Sequence, residues 1–192
     1  GRQWLERGVA FSDGRFMYAD RPTSLRPPLA ADRIPGTTVE LQRQGEAFIR
    51  TLAATLRRGA AFFIDYGFPE AEFHHPQRIG GTLMCHRAHQ ADGDPLSDVG
   101  DKDITTHVDF TGIALAGQDA GLAVLGYTTQ ARFLMNCGLL DDLQGADLRA
   151  IAAAQKLLTE HEMGELFKVI GFAAGKAFDA IGFVEGDRSH ML

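Results

Sequence analysis

Three short stretches of this sequence carry side chains that could do chemistry. The first is Asp65-Tyr66-Gly67, which follows the apolar run 60–64. In open α/β sheets, ligands gather outside the carboxyl ends of the strands. A carboxylate there could accept from a ligand hydroxyl or amine, and Gly67 would let a ligand approach the backbone. The plainer alternative is that Asp65 caps a turn and Gly67 supplies a positive φ. The second stretch is DITTHVDF, residues 103–110, in which His107 and Asp109 stand two apart. In extended chain they face the same side, just before a helix begins. A histidine held by a carboxylate could act as a base or lock a polar hinge. Asp109 is also the best candidate to cap that helix.

The third group is His74, His75, Cys85, His86 and His89, with His107 and Asp109 further along. Zinc needs three or four ligands, typically in paired short spacings. Cys85, His86 and His89 offer such a packet superficially, but strand neighbours point to opposite faces, so Cys85 and His86 would not readily share one ion. Cys137 falls in an apolar helix. Buried, hydrogen-bonded histidines are the better reading, and no metal is expected. No G-x-G-x-x-G follows a strand and no Walker sequence occurs, so no nucleotide-phosphate loop is recognisable.

These residues need elements to hold them. Residues 4–9 and 15–18 alternate around Ser12-Asp13-Gly14 and read as a β-hairpin. Residues 21–36 hold four of the seven prolines and form an irregular loop, which Leu25, Leu29 and Ile34 would pin to the core. Thr37 and Glu40 fit a capping box opening a helix over 38–58, with Phe48, Ile49, Leu52, Ala53 and Leu56 as its apolar stripe. Arg57 and Arg58 suit its negative end and Gly59 its termination. The run 60–64 reads as a strand apolar on both faces, in the middle of a covered sheet. Further strands are expected at 122–127 and 167–173, with a short one near 80–86. Helices are expected over 109–120, ended by Gly121, over 129–137 behind a Thr128 or Thr129 cap, and over 143–158. The tail 182–192 reads as a terminal edge strand with a frayed end.

Composition sets the class. A chain of 192 residues, 45% hydrophobic and 23% charged, suits one domain with a sizeable core. The net charge of −6 argues against a nucleic-acid binder working by bulk charge. No run approaches a membrane span, and the opening residues do not form a signal peptide. Two cysteines fit a reducing compartment and are too few for a disulfide framework. The chain does not begin with Met, and a hairpin is a poor start for a parallel sheet. Both favour a missing upstream half.

FFIDYGF, HHPQRIGGTLMCHRAH, DITTHVDFTGIA, GYTTQARFLMNCGLL and MGELFKVI occur here in that order. Together they resemble the MidA-like S-adenosylmethionine-dependent methyltransferases, whose mitochondrial members help assemble respiratory complex I. The resemblance runs from Trp4 to Phe183. It implies the C-terminal half of a class I, Rossmann-like methyltransferase fold, a single partial domain over 1–192 behind an N-terminal hairpin. Residues 60–64 would be the fifth strand, 122–127 the sixth and 167–173 an antiparallel seventh. The cofactor-binding first half, with its glycine-rich loop and ribose-holding acid, would lie upstream, leaving no contact to S-adenosylmethionine in these residues.

The activity implied is protein-arginine methylation on a partner such as a complex I subunit, in the cytoplasm of a bacterium or the mitochondrion of a eukaryote. Such a transfer needs a group to orient the guanidinium, a proton sink and exclusion of water. Asp65, His107 and Asp109 are the candidate catalytic groups. Asp65 or Asp109 would accept the guanidinium and His107 the proton. Tyr66, Gly67, His86 and Phe110 are the candidate substrate contacts. A non-catalytic assembly module is the rival reading, and a metal-dependent hydrolase built on His107 and Asp109 a weaker third. The chain alone is expected to be inactive and to self-associate through the sheet edge its parent would cover.

Overall fold

A computed structural model describes residues 3–28, 34–88 and 90–192. Leu29 and His89 lie outside the described residues. In chain order the elements are β1 (Leu5–Ser12), β2 (Arg15–Pro22), α1 (Arg43–Thr55), β3 (Gly59–Phe68), α2 (Glu70–Phe73), β4 (Met84–Arg87), β5 (Gln90–Asp92), β6 (Asp103–Thr105), β7 (Val108–Asp109), α3 (Phe110–Asp119), β8 (Ala123–Thr129), α4 (Gln130–Asn136), α5 (Leu139–Asp142), α6 (Leu148–Leu158) and β9 (Phe167–Ala174). They form two compact units: Gly1–Leu41 with His74–His107, and Gln42–Phe73 with Val108–Leu192.

The first unit holds two small sheets. Antiparallel β1 and β2 turn through Asp13 and Gly14, both at positive φ (52° and 76°), the backbone a two-residue hairpin turn demands. Arg7 grips Asp20 through two hydrogen bonds of 2.9 and 2.8 Å, and the Phe11 and Phe16 rings meet at 5.1 Å. The second sheet runs β5-β4-β6, antiparallel throughout. The loop between β5 and β6 folds around Lys102, whose ammonium donates to Asp92, the Asp94 carbonyl and Ser97 at 3.0, 3.1 and 2.7 Å. Ile34 is exposed, so it does not pin the proline-rich loop as the sequence suggested.

The second unit is built on a mixed sheet of order β7-β3-β9-β8. β7 runs parallel to β3, and β9 runs antiparallel to both β3 and β8. Ile49 of α1, Phe110 and Ile113 of α3, and Ile170 and Phe172 of β9 form the main core on one face. Val169, Ala180 and Phe183 close the other, with Phe133 of α4 against them.

Three expectations about this unit need correction. The helix expected over 38–58 occupies only Arg43–Thr55, because the capping box does not form: Thr37 hydrogen-bonds the Ile34 carbonyl, and Glu40 is engaged elsewhere. β3 is longer than 60–64 and is not buried on both faces. Phe63 packs inward against Phe172, but Phe62 and Ile64 on the other face are 43% and 48% exposed. Its outer edge meets β7 only at Gly67 and Phe68, so among the described residues 59–66 are paired on one side. The tail is no strand. Two 3-10 turns, Ile181–Phe183 and Ser189–Met191, carry it along β8, where Asp187 accepts the Tyr127 amide (2.9 Å) and Thr128 donates to the Gly186 carbonyl (2.6 Å).

Other expectations stand with shifted ends. Asp109 caps α3 by accepting from the Gly112 amide at 3.1 Å. Thr129 caps α4 through the Arg132 amide, and Gly138 ends the segment at φ 91°. The helix expected over 143–158 begins at Leu148 instead, since Gly145 turns at φ 79° and Asp147 supplies the cap. No helix among the described residues is long and apolar enough to cross a membrane.

Candidate functional site

The carboxyl ends of β3 and β8 define the edge at which an α/β sheet presents its ligands. Residues paired directly across antiparallel strands share a face, and strand neighbours oppose. Asp65 therefore lies in one row with Lys168 and Thr129, on the face of Phe63, Ile170 and Tyr127. It sits three residues inside β3 rather than at its end. It is exposed, and one carboxylate oxygen accepts its neighbour's amide, that of Tyr66, at 2.8 Å. Tyr66 belongs to the opposite face, where its ring stands edge-on to Phe167 at 5.4 Å. The sequence put Asp65 and Tyr66 in one site; the pleat separates them.

Gly67 has a structural reason to be glycine. A Cβ there would fall on the Val108 carbonyl, so the backbone that comes close is that of β7. Gly67 is not at positive φ. Phe110, expected as a substrate contact, is 1% exposed and packs against Tyr127 at 5.2 Å, which makes it core.

Asp109 is half-buried. Burial pushes its carboxyl above the usual range, the Gly112 and Thr111 amides pull the other way, and the nearby Glu46 carboxylate adds to the rise. Its own amide donates to the Gln42 side chain at 2.9 Å, so both ends of this residue are fixed.

His107 belongs to the first unit and Asp109 to the second. Glu40 organises the His107 end. Its carboxylate takes the Thr82 amide at 2.6 Å, the Leu83 amide at 2.9 Å and the Thr82 hydroxyl at 3.3 Å, and that hydroxyl in turn accepts the His107 amide at 3.0 Å. Cys85 is fully buried while its neighbour His86 is exposed, so the two oppose on β4 as strand geometry requires. Burial pushes the Cys85 thiol up. His74 is 2% exposed, and His75 lies at the surface, its ring accepting from the Gln77 amide. Among the described residues no three His, Cys, Asp or Glu side chains converge as a metal would need.

The sequence reading missed a second polar group at this edge. Lys168 is 7% exposed and donates to the Glu165 carbonyl, with the Glu165 carboxylate 3.7 Å away. Arg188 holds the same carboxylate by two bonds of 2.7 and 3.4 Å. Burial pulls the Lys168 ammonium down, against the opposing pull of Glu165. The signal was in the sequence: Lys168 is the one charge in FKVIGFAA, an otherwise apolar strand.

Comparison with known proteins follows this geometry. A crystal structure from Burkholderia thailandensis, described as a "likely methyl transferase" bound to S-adenosyl-homocysteine, is 50% identical, with a TM-score of 0.89 over 100% of this chain and 52% of its own. A second, native structure of an uncharacterized protein of the same superfamily and organism is also 50% identical, with a TM-score of 0.88 over 99% of this chain and 54% of its own. The chain thus spans about half the length of these structures. Among curated proteins none matches it. A family model described as "Putative S-adenosyl-L-methionine-dependent methyltransferase" matches residues 1–128, which is most of the chain and includes the β3 edge, His107 and Asp109, and to that family, the MidA-like one its motifs resemble, this chain belongs.

Proposed function

We propose that this chain is the acceptor-side part of an S-adenosylmethionine-dependent methyltransferase acting on protein arginine. The observation that carries the reading is the likeness of this whole chain, at half identity, to about half of a structure holding S-adenosyl-homocysteine. On this reading the residues of this chain are not the cofactor's cradle. No glycine-rich loop of dinucleotide type follows a strand, and the close approach at Gly67 is taken by Val108. The cofactor would be held by the part of the family fold that this chain does not span.

What these residues offer is the other partner's side. Asp65 or Asp109 supplies the acceptor for a planar guanidinium, which a carboxylate fork orients better than any neutral group. The nitrogen's proton leaves as the methyl arrives, and a base beside the acceptor must take it. A respiratory complex I subunit is the protein partner the resemblance implies. The rival reading, an assembly module without chemistry, draws support from the hairpin, whose Val9, Phe11, Phe16 and Tyr18 are all exposed on one face.

Complementation decides between them. The chain is mixed with the complementary half of the Burkholderia thailandensis structure, methyl-labelled cofactor and arginine-containing or lysine-only peptides. Label on arginine alone supports the proposal; label on neither, from a complex that binds the cofactor, favours the assembly module.

A further inference from the structure

We propose that the apolar face of the β1–β2 hairpin is a self-association surface, covered in solution by the same face of a second copy of this chain. The proposal does not depend on the methyltransferase reading. The pairing register puts Leu5, Val9 and Phe11 on one face with Phe16 and Tyr18, and these five side chains are 42–65% exposed. The opposite face carries Glu6, Ser12, Arg15 and Arg21, with Glu6 and Arg21 paired at 2.9 Å. The hairpin is therefore amphipathic, yet no residue of either strand is buried. A two-stranded ribbon is marginal by itself in water, and an exposed apolar patch rimmed by polar residues marks an interaction surface.

Charge and area select the occupant. Residues 5–22 hold three acids and three arginines, so the hairpin is neutral within a chain of net charge −6. Two copies can meet here without the repulsion that the rest of the chain imposes. The ion pair on the apolar face is already closed: Asp20 takes two bonds from Arg7, whose guanidinium lies 4.8 Å from the Tyr18 ring centroid. Such a face offers little to a charged partner and can be stacked without stranding a charge. A two-fold axis across the Val9–Tyr18 row would set Phe11 of each copy over Arg7 of the other, an aromatic cover for a guanidinium. Five half-exposed side chains offer roughly 400–500 Å² per copy, against about 800 Å² per partner in a stable complex. The dimer is accordingly weak and exchanging, with a dissociation constant on the order of 10–100 µM.

The test is sedimentation velocity of this chain from about 5 to about 500 µM, spanning that constant, with Ile64→Lys in every sample so that the β3 edge does not contribute. A monomer–dimer exchange should appear and tighten with added salt, as screening removes the repulsion between like-charged copies. Val9→Lys and Val9→Glu, at an exposed position, should each weaken association at least about tenfold by setting like charges face to face, and mixing the two variants should restore a dimer. Ser12→Lys, on the opposite face, should change association less than about twofold. With the native hairpin, isotope-filtered NOEs between labelled and unlabelled copies should join the Phe11 ring to Arg7. A monomer throughout, association unchanged in both Val9 variants, no recovery on mixing, or no such NOE would each overturn the proposal. Loss of the dimer once the chain is assembled with the complementary half of the family fold would also overturn it, because that half would then be the occupant.

Discussion

Asp109 is the residue at which a structural and a functional role can be separated by one atom. Replacing it with Ala removes the acceptor for the Gly112 amide and should cost about 1 kcal/mol, or roughly 2–4 °C in melting temperature at this size. Replacing it with Asn keeps an oxygen in place, and Asn caps a helix about as well as Asp. It also removes a charge that burial and Glu46 disfavour. The sign then follows. A carboxyl whose native pKa is raised above the ordinary 3.8 binds its proton more tightly folded than unfolded. Its stabilising contribution is complete below 3.8 and is lost as pH rises through the raised native value. Asp109→Asn should therefore match the parent near pH 3 and melt at or above it at pH 7, while Asp109→Ala melts below it at pH 7. Thermal melts of the three proteins across that range are the assay. An Asn variant destabilised at pH 7 as much as the Ala variant would refute the reasoning, since the charge would then stabilise the fold on balance. If its melting is unchanged but methyl transfer in the complemented enzyme falls about 30- to 150-fold, Asp109 also orients the substrate cation, a loss of about 2–3 kcal/mol.

Glu40→Ala should destabilise the first unit by about 2–3 kcal/mol, because it strands the Thr82 and Leu83 amides, and Glu40→Gln by about half as much; denaturant melts followed at His107 report it. Gly126→Ala would place a methyl on the Phe183 ring, with the Phe183 Cβ only 2.6 Å away, and should cost about 1–3 kcal/mol by calorimetry. Ile64→Lys, on the half-open strand β3, should reduce self-association of the chain in sedimentation velocity without lowering its melting temperature, since that side chain is 48% exposed.

What could be read from the sequence was local. Asp109 and Thr129 announce their helices because a cap works within three residues of itself, and both form as expected. The hairpin is equally local, fixed by Asp13-Gly14. Glu40 shows the limit. Its spacing from Thr37 fits a capping box, yet its carboxylate serves amides 42 and 43 residues away, which no short-range pattern contains. The apolar run of β3 suggested burial on both faces, but hydrophobicity records what a strand can bury and not what covers it. The tail read as a terminal edge strand, while Asp187 and Gly186 dock it on β8 by side-chain bonds instead. At the candidate site, Asp65 and Tyr66 were legible as chemistry but not as opposed faces of a strand that runs on to Phe68. Lys168 went unread because its strand was identified by the apolar residues around it.

The most direct test of the account is a calorimetric titration of S-adenosyl-homocysteine, first into this chain alone and then into the chain assembled with the complementary half of the family fold. The account assigns the cofactor cradle to that other half. It predicts affinity no tighter than about 1 mM for the chain alone and affinity at least a hundredfold tighter for the assembly. Micromolar binding to the isolated chain, or none to a properly assembled complex, would contradict it.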